Sequence, residues 1–428
     1  MHLEDYNPHW RKGYFYGHEK KREIYGELWK SAEKRRITVI TGTRRVGKTT
    51  IMKQIINDLI KNEVARYNIL YFSFDESQPS IRDVIKEYEE KLGKDVSLSG
   101  EKYYVFFDEV QKLDNWHEQI KYFYDFYENI KFFVSGSASL FIKKGVRESL
   151  AGRVKEFYMG GLSFREYLIF TDKEYMLEKP EMFEDTLKSE FSRYLKRQYI
   201  EIVSEDEEEI RDYVRSIVEK VIYIDIPYIF SVKNPHLLMK IAGIVASSPG
   251  MLVDYTSISR AIGGGESISR VRVSNYIHYL EEAYLLKLGY NYSRSEMVSE
   301  RKLKKAYLSN PSLSMMAQKA PDLGKLAEQT FFNRPEIRFF WRTPQKDEVD
   351  IVLETEDGVL PVEVKYQEEI TKKDMKPLIK FMKKYNSKRG LIITKTTDGN
   401  VETEYGRIEL IPAWKLEAKE MRYFGRPE

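Results

Sequence analysis

Apolar residues fall along this chain in two rhythms, and the changes between them mark out the elements. Short, nearly unbroken apolar runs at Ile37-Thr38-Val39-Ile40, at Ile69 to Phe74, at Tyr103 to Phe107 and at Phe132-Phe133-Val134 read as strands of a buried parallel sheet. After the first of them, Ile51, Ile55, Ile56 and Leu59 recur at helical spacing, so a helix is expected from Thr49 through Ile60. Ahead of it, an aromatic, basic arm (Trp10, Arg11, Lys12, Tyr14, Phe15, Tyr16) leads into a helix through Ile24 and Leu28 and is expected to pack on the core that follows. From about Glu166 to Lys233 the spacing is helical and highly charged, and the acidic run from Glu205 to Glu209 reads as a solvated surface.

Residues 236–300 carry three helical segments. The first runs through Leu237, Leu238, Ile241, Ile244 and Val245, the second covers Thr256 to Ile262 and stops at Gly263-Gly264-Gly265, and the third starts at Ser269 with Val273, Ile277 and Leu280 turned inward. This is the pattern of a winged helix, which serves either as a nucleic-acid reader, with Arg270 and Arg272 near the start of its third helix as the expected contacts, or as a plain protein contact. Strict alternation then sets in from Asp347 to Glu354 and from Val359 to Lys365, which predicts a β-hairpin. With a loop over Thr355 to Gly358, Glu354 pairs with Val359. Counting back puts Asp350 opposite Glu363, and Glu348 opposite Lys365.

Length adds a domain count. At 428 residues the chain exceeds one core, and the patterns divide it into 1–165, a parallel-sheet core with its arm; 166–235, a helical lid or linker; 236–300, the winged helix; and 301–428, a further α/β domain. The expected class is therefore α/β throughout. There is no cysteine, which excludes disulfides, thiolate nucleophiles and cysteine-ligated metals. A net charge of +3 does not by itself call for a nucleic-acid partner. Neither a membrane-length apolar run nor an apolar N-terminal segment is present, so a cytoplasmic protein is expected.

The residues that carry chemistry lie at strand ends. Gly42-Thr43-Arg44-Arg45-Val46-Gly47-Lys48-Thr49 fits G-x-x-x-x-G-K-[ST], the loop in which backbone N–H groups wrap phosphates. With Thr50, these residues are expected to bind ATP, Lys48 reaching the β and γ oxygens and Thr49 holding Mg²⁺. Two strands end in Asp-Glu, at Asp75-Glu76 and at Asp108-Glu109. Asp108 is the expected Mg²⁺ acid and Glu109 the group that polarises water, because their strand is uninterrupted by polar residues and Ser137 follows the next one, where a polar side chain can contact the γ-phosphate.

Taken with Asp108-Glu109-Val110-Gln111, Gly136-Ser137, Ser149-Leu150-Ala151-Gly152-Arg153 and Gly160 to Tyr167, the loop resembles that of a large family of archaeal and bacterial AAA-like ATPases with a C-terminal nuclease-like domain. The resemblance implies that Arg153 stabilises the transferring phosphoryl group, often across a subunit interface, and hence a homo-oligomer. The hairpin resembles the PD-(D/E)XK nucleases, although valine rather than proline precedes Asp350. That second resemblance implies Mg²⁺ or Mn²⁺ held by Asp350, Glu363 and an upstream acid, Glu328, with Lys365 positioning or activating water. Two functions are compatible with these features: an ATP-hydrolysing, DNA-processing enzyme, or an ATP-driven oligomerisation switch or scaffold whose inactive nuclease-like domain binds DNA or protein.

Overall fold

The computed structural model describes residues 2–136, 146–263, 268–301, 303–317, 319–356 and 358–418. They divide into two compact units at Gly160/Gly161. None of the described helices is long and apolar enough to cross a membrane.

In the first unit β1 (Ile37–Gly42), β2 (Ile69–Ser73), β3 (Tyr103–Asp108), β4 (Ile130–Ser135) and β5 (Val154–Met159) form one sheet in the order β2-β3-β4-β1-β5. Every pairing is parallel. The apolar runs are buried as expected, with Val39, Phe72, Val105, Phe107, Phe132 and Val134 in one core that also takes Ile81, Val84, Ile85 and Ile120 from the helices Ile81–Leu92 and Trp116–Phe126. This order sets β4 between β1 and β3, so the carboxyl ends of all three meet along one edge of the sheet.

The N-terminal arm docks on the outer strand. The Asn7 side chain donates to the Tyr71 carbonyl at 3.0 Å and accepts from the Tyr71 amide at 2.7 Å, in the manner of one more strand residue. Trp10 Nε1 donates to the Ile69 carbonyl at 2.8 Å. Edge strands expose unpaired backbone groups that invite mispairing, and the arm covers this one.

The second unit is built on nine strands: β6 (Met251–Leu252), β7 (Leu286–Asn291), β8 (Lys304–Leu308), β9 (Phe339–Arg342), β10 (Glu348–Thr355), β11 (Gly358–Lys365), β12 (Arg389–Thr394), β13 (Gly399–Thr403) and β14 (Gly406–Pro412). Their order is β13-β14-β12-β11-β10-β9-β7-β8-β6. The three helical segments appear at Pro235–Ser247, Tyr255–Gly263 and Arg270–Glu282, and the antiparallel pair β7/β8 follows them. β7 also pairs in parallel with β9, Tyr290 against Phe339, so strands from either side of residue 300 share one sheet. The acidic run starts the helix Glu207–Lys220, where Asp206 caps the first turn and the helix dipole favours carboxylates.

The β10/β11 register is the one the alternation predicts, with Glu354 against Val359 and Ile351 against Val362. The strands run further than expected: Thr355 pairs with Gly358, which shortens the turn.

Candidate functional site

β1 delivers the glycine-rich loop. Gly42 has φ +149 and lies so close to β5 that a Cβ would stand 2.1 Å from the Met159 carbonyl oxygen, so no other residue fits there. Gly47 (φ +96) turns the loop into the helix Lys48–Lys61, placing the N-terminus of that helix at the loop. Lys48 Nζ bonds the Thr43 carbonyl at 2.8 Å and the Gly42 carbonyl at 3.2 Å, so the ammonium is held over the loop. Arg22, from the arm, donates to the Val46 carbonyl at 2.8 Å and braces the loop from behind.

β3 brings Asp108 to the same place. Its Oδ2 accepts from Thr49 Oγ1 at 2.6 Å and from the Tyr71 hydroxyl of β2 at 2.8 Å. Its Oδ1 accepts from Ser135 Oγ at the end of β4. Glu109 follows with φ +52, a left-handed turn that breaks the strand, and Gln111 Nε2 donates to Glu109 Oε2 at 2.6 Å. The burial of Tyr71 next to the Asp108 charge raises its hydroxyl pKa well above the usual range, so it stays a neutral donor.

Arg153 lies elsewhere. Its carbonyl accepts from the Ile37 amide, at the amino end of β1, whereas the loop leaves the carboxyl end. Its guanidinium makes a two-pronged pair with Asp125 at 2.9 and 3.2 Å. Within one chain, the expected phosphate-stabilising arginine is therefore not brought to the loop. Asp75 pairs with Lys112. Ser137 lies outside the described residues.

In the second unit the expected acids do converge, but around a lysine. Lys305, on β8 and 2% exposed, places Nζ 2.6 Å from Glu348 Oε1, 3.0 Å from Glu328 Oε1 and 3.4 Å from Asp350 Oδ1. Glu328, on the helix Leu323–Phe332, also accepts from the Tyr307 hydroxyl at 2.8 Å and from Lys325 Nζ at 2.9 Å. Burial alone would raise the Glu328 pKa, but Lys305 and Lys325 outweigh it and bring it down to about 2. Asp350 Oδ2 accepts from the Val364 amide at 3.0 Å.

Lys365 bonds Glu363 Oε1 at 2.5 Å, not Glu348, which Lys305 and Arg342 occupy. Burial opposes the charge on Lys365, but Asp350 and Glu363 hold its pKa above the ordinary value and favour its ammonium form. The second Glu363 oxygen is buried and finds no partner among the described residues. Burial, then the nearby Asp350 charge, pushes the Glu363 carboxyl up to about 8.

The sequence reading called on a divalent cation to relieve the opposed carboxylates, and the structure supplies ammonium groups instead. Glu328 and Asp350 as arranged do not fit a metal: the Glu328 oxygens are bonded to Lys305, Tyr307 and Lys325, those of Asp350 to Lys305 and the Val364 amide, and Glu363 gives one of its two oxygens to Lys365. Among the described residues no group of three or more His, Cys, Asp or Glu is arranged to hold a metal ion.

Arg270 and Arg272 are exposed at the start of the helix Arg270–Glu282, which Ser269 caps by accepting from the Arg272 amide at 3.2 Å. Val273, Tyr276, Ile277 and Leu280 bury the opposite face.

Residues 34–168 match an AAA domain. The first unit carries an AAA-type ATPase domain. Residues 199–323 and 326–416 match two domains of unknown function, DUF8612 and DUF4143. An uncharacterized protein of Methanocaldococcus jannaschii is 27% identical over 403 residues, spanning 89% of this chain and 88% of its own length, so the similarity extends well past the AAA domain. An uncharacterized protein of Haemophilus influenzae is 26% identical over 250 residues, spanning 58% of this chain and 61% of its own.

Among solved structures, Orc1 of Aeropyrum pernix in complex with DNA overlaps 76% of this chain and 96% of its own at 13% identity and a TM-score of 0.34. The Hsp104–ADP complex of S. cerevisiae overlaps 66% and 41% at 15% identity and 0.34. RuvB of Thermotoga maritima overlaps 65% and 92% at 13% identity and 0.29.

The AAA domain's oxygen donors suit Mg²⁺. A threonine hydroxyl and a carboxylate already in contact form the hard-oxygen pair that such an ion takes alongside phosphate, and Thr43 Oγ1 is buried with no partner among the described residues. Two partners of Asp108 escaped the sequence reading. Tyr71 sits inside an apolar strand with nothing to distinguish its hydroxyl. Ser135 ends the neighbouring apolar run, and that polar strand end was the available signal.

Proposed function

We propose that the chain is an ATP-driven, DNA-binding switch, working as an oligomer of identical copies, in which the nuclease-like sheet is a scaffold. In the AAA domain, Thr49 and Asp108 would hold Mg²⁺, which when bound screens the phosphate charge. Lys48 and the loop amides hold the β and γ phosphates in place. Glu109, turned out of β3 and steadied by Gln111, orients the attacking water and takes up its proton.

The DNA reading is carried by one observation: two exposed arginines flank the exposed Val271 at the capped start of a helix whose other face is buried, and an antiparallel strand pair, its strands joined through the helix Glu296–Arg301, follows. That order of elements supports a winged helix presenting its third helix to the major groove. Replacing both Arg270 and Arg272 by Ala should weaken duplex binding on the order of tenfold or more and flatten the dependence of log K on log salt, each arginine that meets a phosphate contributing about 0.9 to the slope. A fluorescence-anisotropy titration at several salt concentrations measures both. Unchanged affinity and slope would move the contact elsewhere.

Because Arg153 lies at the end of the sheet away from the loop of its own chain, its catalytic role is one between copies. Arg153→Ala and Lys48→Ala should each abolish turnover, and mixing the two should restore a fraction of it, since a mixed interface joins one intact loop to one intact arginine. Full turnover by Arg153→Ala alone would leave the residue as a partner of Asp125 and nothing more.

The Lys305-centred cluster favours this switch over a metal-dependent nuclease, since its acids are already satisfied by cations of the protein.

A further inference from the structure

We infer that Lys305 is the resident cation of the second unit: its ammonium occupies the position a divalent ion would take among Glu328, Glu348 and Asp350, and the pocket accepts a metal only when that ammonium is removed. This rests on the nuclease-like reading of the β10/β11 hairpin and is independent of the DNA contact at Arg270 and Arg272.

Three observations converge. First, the acids already have counter-ions without a metal: Lys305, Lys325 and Arg342 face the carboxylates of Glu328, Glu348 and Asp350, and Lys365 pairs with Glu363. A divalent ion added to this set would bring two further positive charges into a buried site whose acids are already paired, and desolvation opposes that. Second, the ligand oxygens are used. Glu328 accepts from Lys305 and Tyr307 on one oxygen and from Lys325 on the other. Asp350 gives one oxygen to Lys305 and the other to the Val364 amide.

Third, the space is taken. Gly250 (φ +77) comes so close on one side that a Cβ there would lie 2.8 Å from Glu328 Oε1 and 2.9 Å from the Tyr307 ring. Lys305 also lies over the Phe340 ring, 5.4 Å from its centroid. The second Glu363 oxygen is buried and unpartnered among the described residues, and it is the ligand that a metal would recruit once the ammonium is gone.

Metal binding to the full-length, nucleotide-free protein tests this directly, with Mn²⁺ as the probe and free Mn²⁺ read by electron paramagnetic resonance. The wild-type chain should take up no Mn²⁺ tighter than about 1 mM, the weak end of protein oxygen sites. Lys305→Ala should bind one Mn²⁺ at least about tenfold tighter than that, with a matching rise in melting temperature on adding the ion. Adding Asp350→Asn or Glu363→Gln to Lys305→Ala should abolish the gain. Tight uptake of one Mn²⁺ by the wild type, lost in Asp350→Asn, would overturn the assignment. So would a folded Lys305→Ala chain that binds no more Mn²⁺ than wild type. Should Lys305→Ala fail to fold, the wild-type titration alone decides, and loss of DNA binding in the arginine variants leaves this result untouched.

Discussion

Glu109→Gln is expected to cut ATP turnover by about 10²–10⁴-fold while ATP is still bound, the usual cost of removing a positioned general base. The amide keeps the shape of the side chain and its contact with Gln111, so the loop, Lys48 and the Thr49–Asp108 pair stay as they are. What disappears is the carboxylate proposed to polarise water. Single-turnover hydrolysis beside equilibrium binding of a fluorescent ATP analogue separates the two effects. A variant that hydrolyses at the wild-type rate would take Glu109 out of the mechanism, and one that no longer binds would mean that Glu109 shapes the loop.

Lys305→Met should lower the stability of the second unit by about 3–5 kcal/mol, because it removes the buried ammonium that Glu328, Glu348 and Asp350 share. Methionine matches the length of the stem, so little of the loss comes from packing. Hydrogen exchange localises it: amides of β8, β10 and β11 should lose protection together, and those of the AAA domain should not change. Lys304→Met, one residue away and only half-buried, is the control, expected to stay within about 0.5 kcal/mol. Equal effects of the two substitutions would contradict the role given to Lys305.

The two sites were legible in the sequence to different degrees, for a physical reason. The loop from Gly42 to Thr49 and the pair Asp108-Glu109 are local signals, in which spacing along the chain fixes spacing in space, so strand, turn and helix could be read together. The hairpin register was legible in the same way, since alternation with a short turn leaves one pairing that buries Val349, Ile351 and Val362. Lys305 was not. It sits in Lys304–Leu308, where two lysines start a strand and either could face solvent, and only the fold reveals that Lys305 shares a face with Tyr307 and meets Glu328 from another element. A strand with a lysine two residues before a buried tyrosine was the faint sign available. Arg153 illustrates the converse, a motif position whose neighbours in sequence said nothing about which end of the sheet it occupies.

β8 seats Lys305 and pairs along its length with β7, the strand that follows the helix bearing Arg270 and Arg272. The strand behind the arginine-bearing helix and the strand that seats Lys305 are therefore two legs of one ladder. A pull on the first is felt as shear on the second, which gives Lys305 a mechanical lever that a freely diffusing ion would lack.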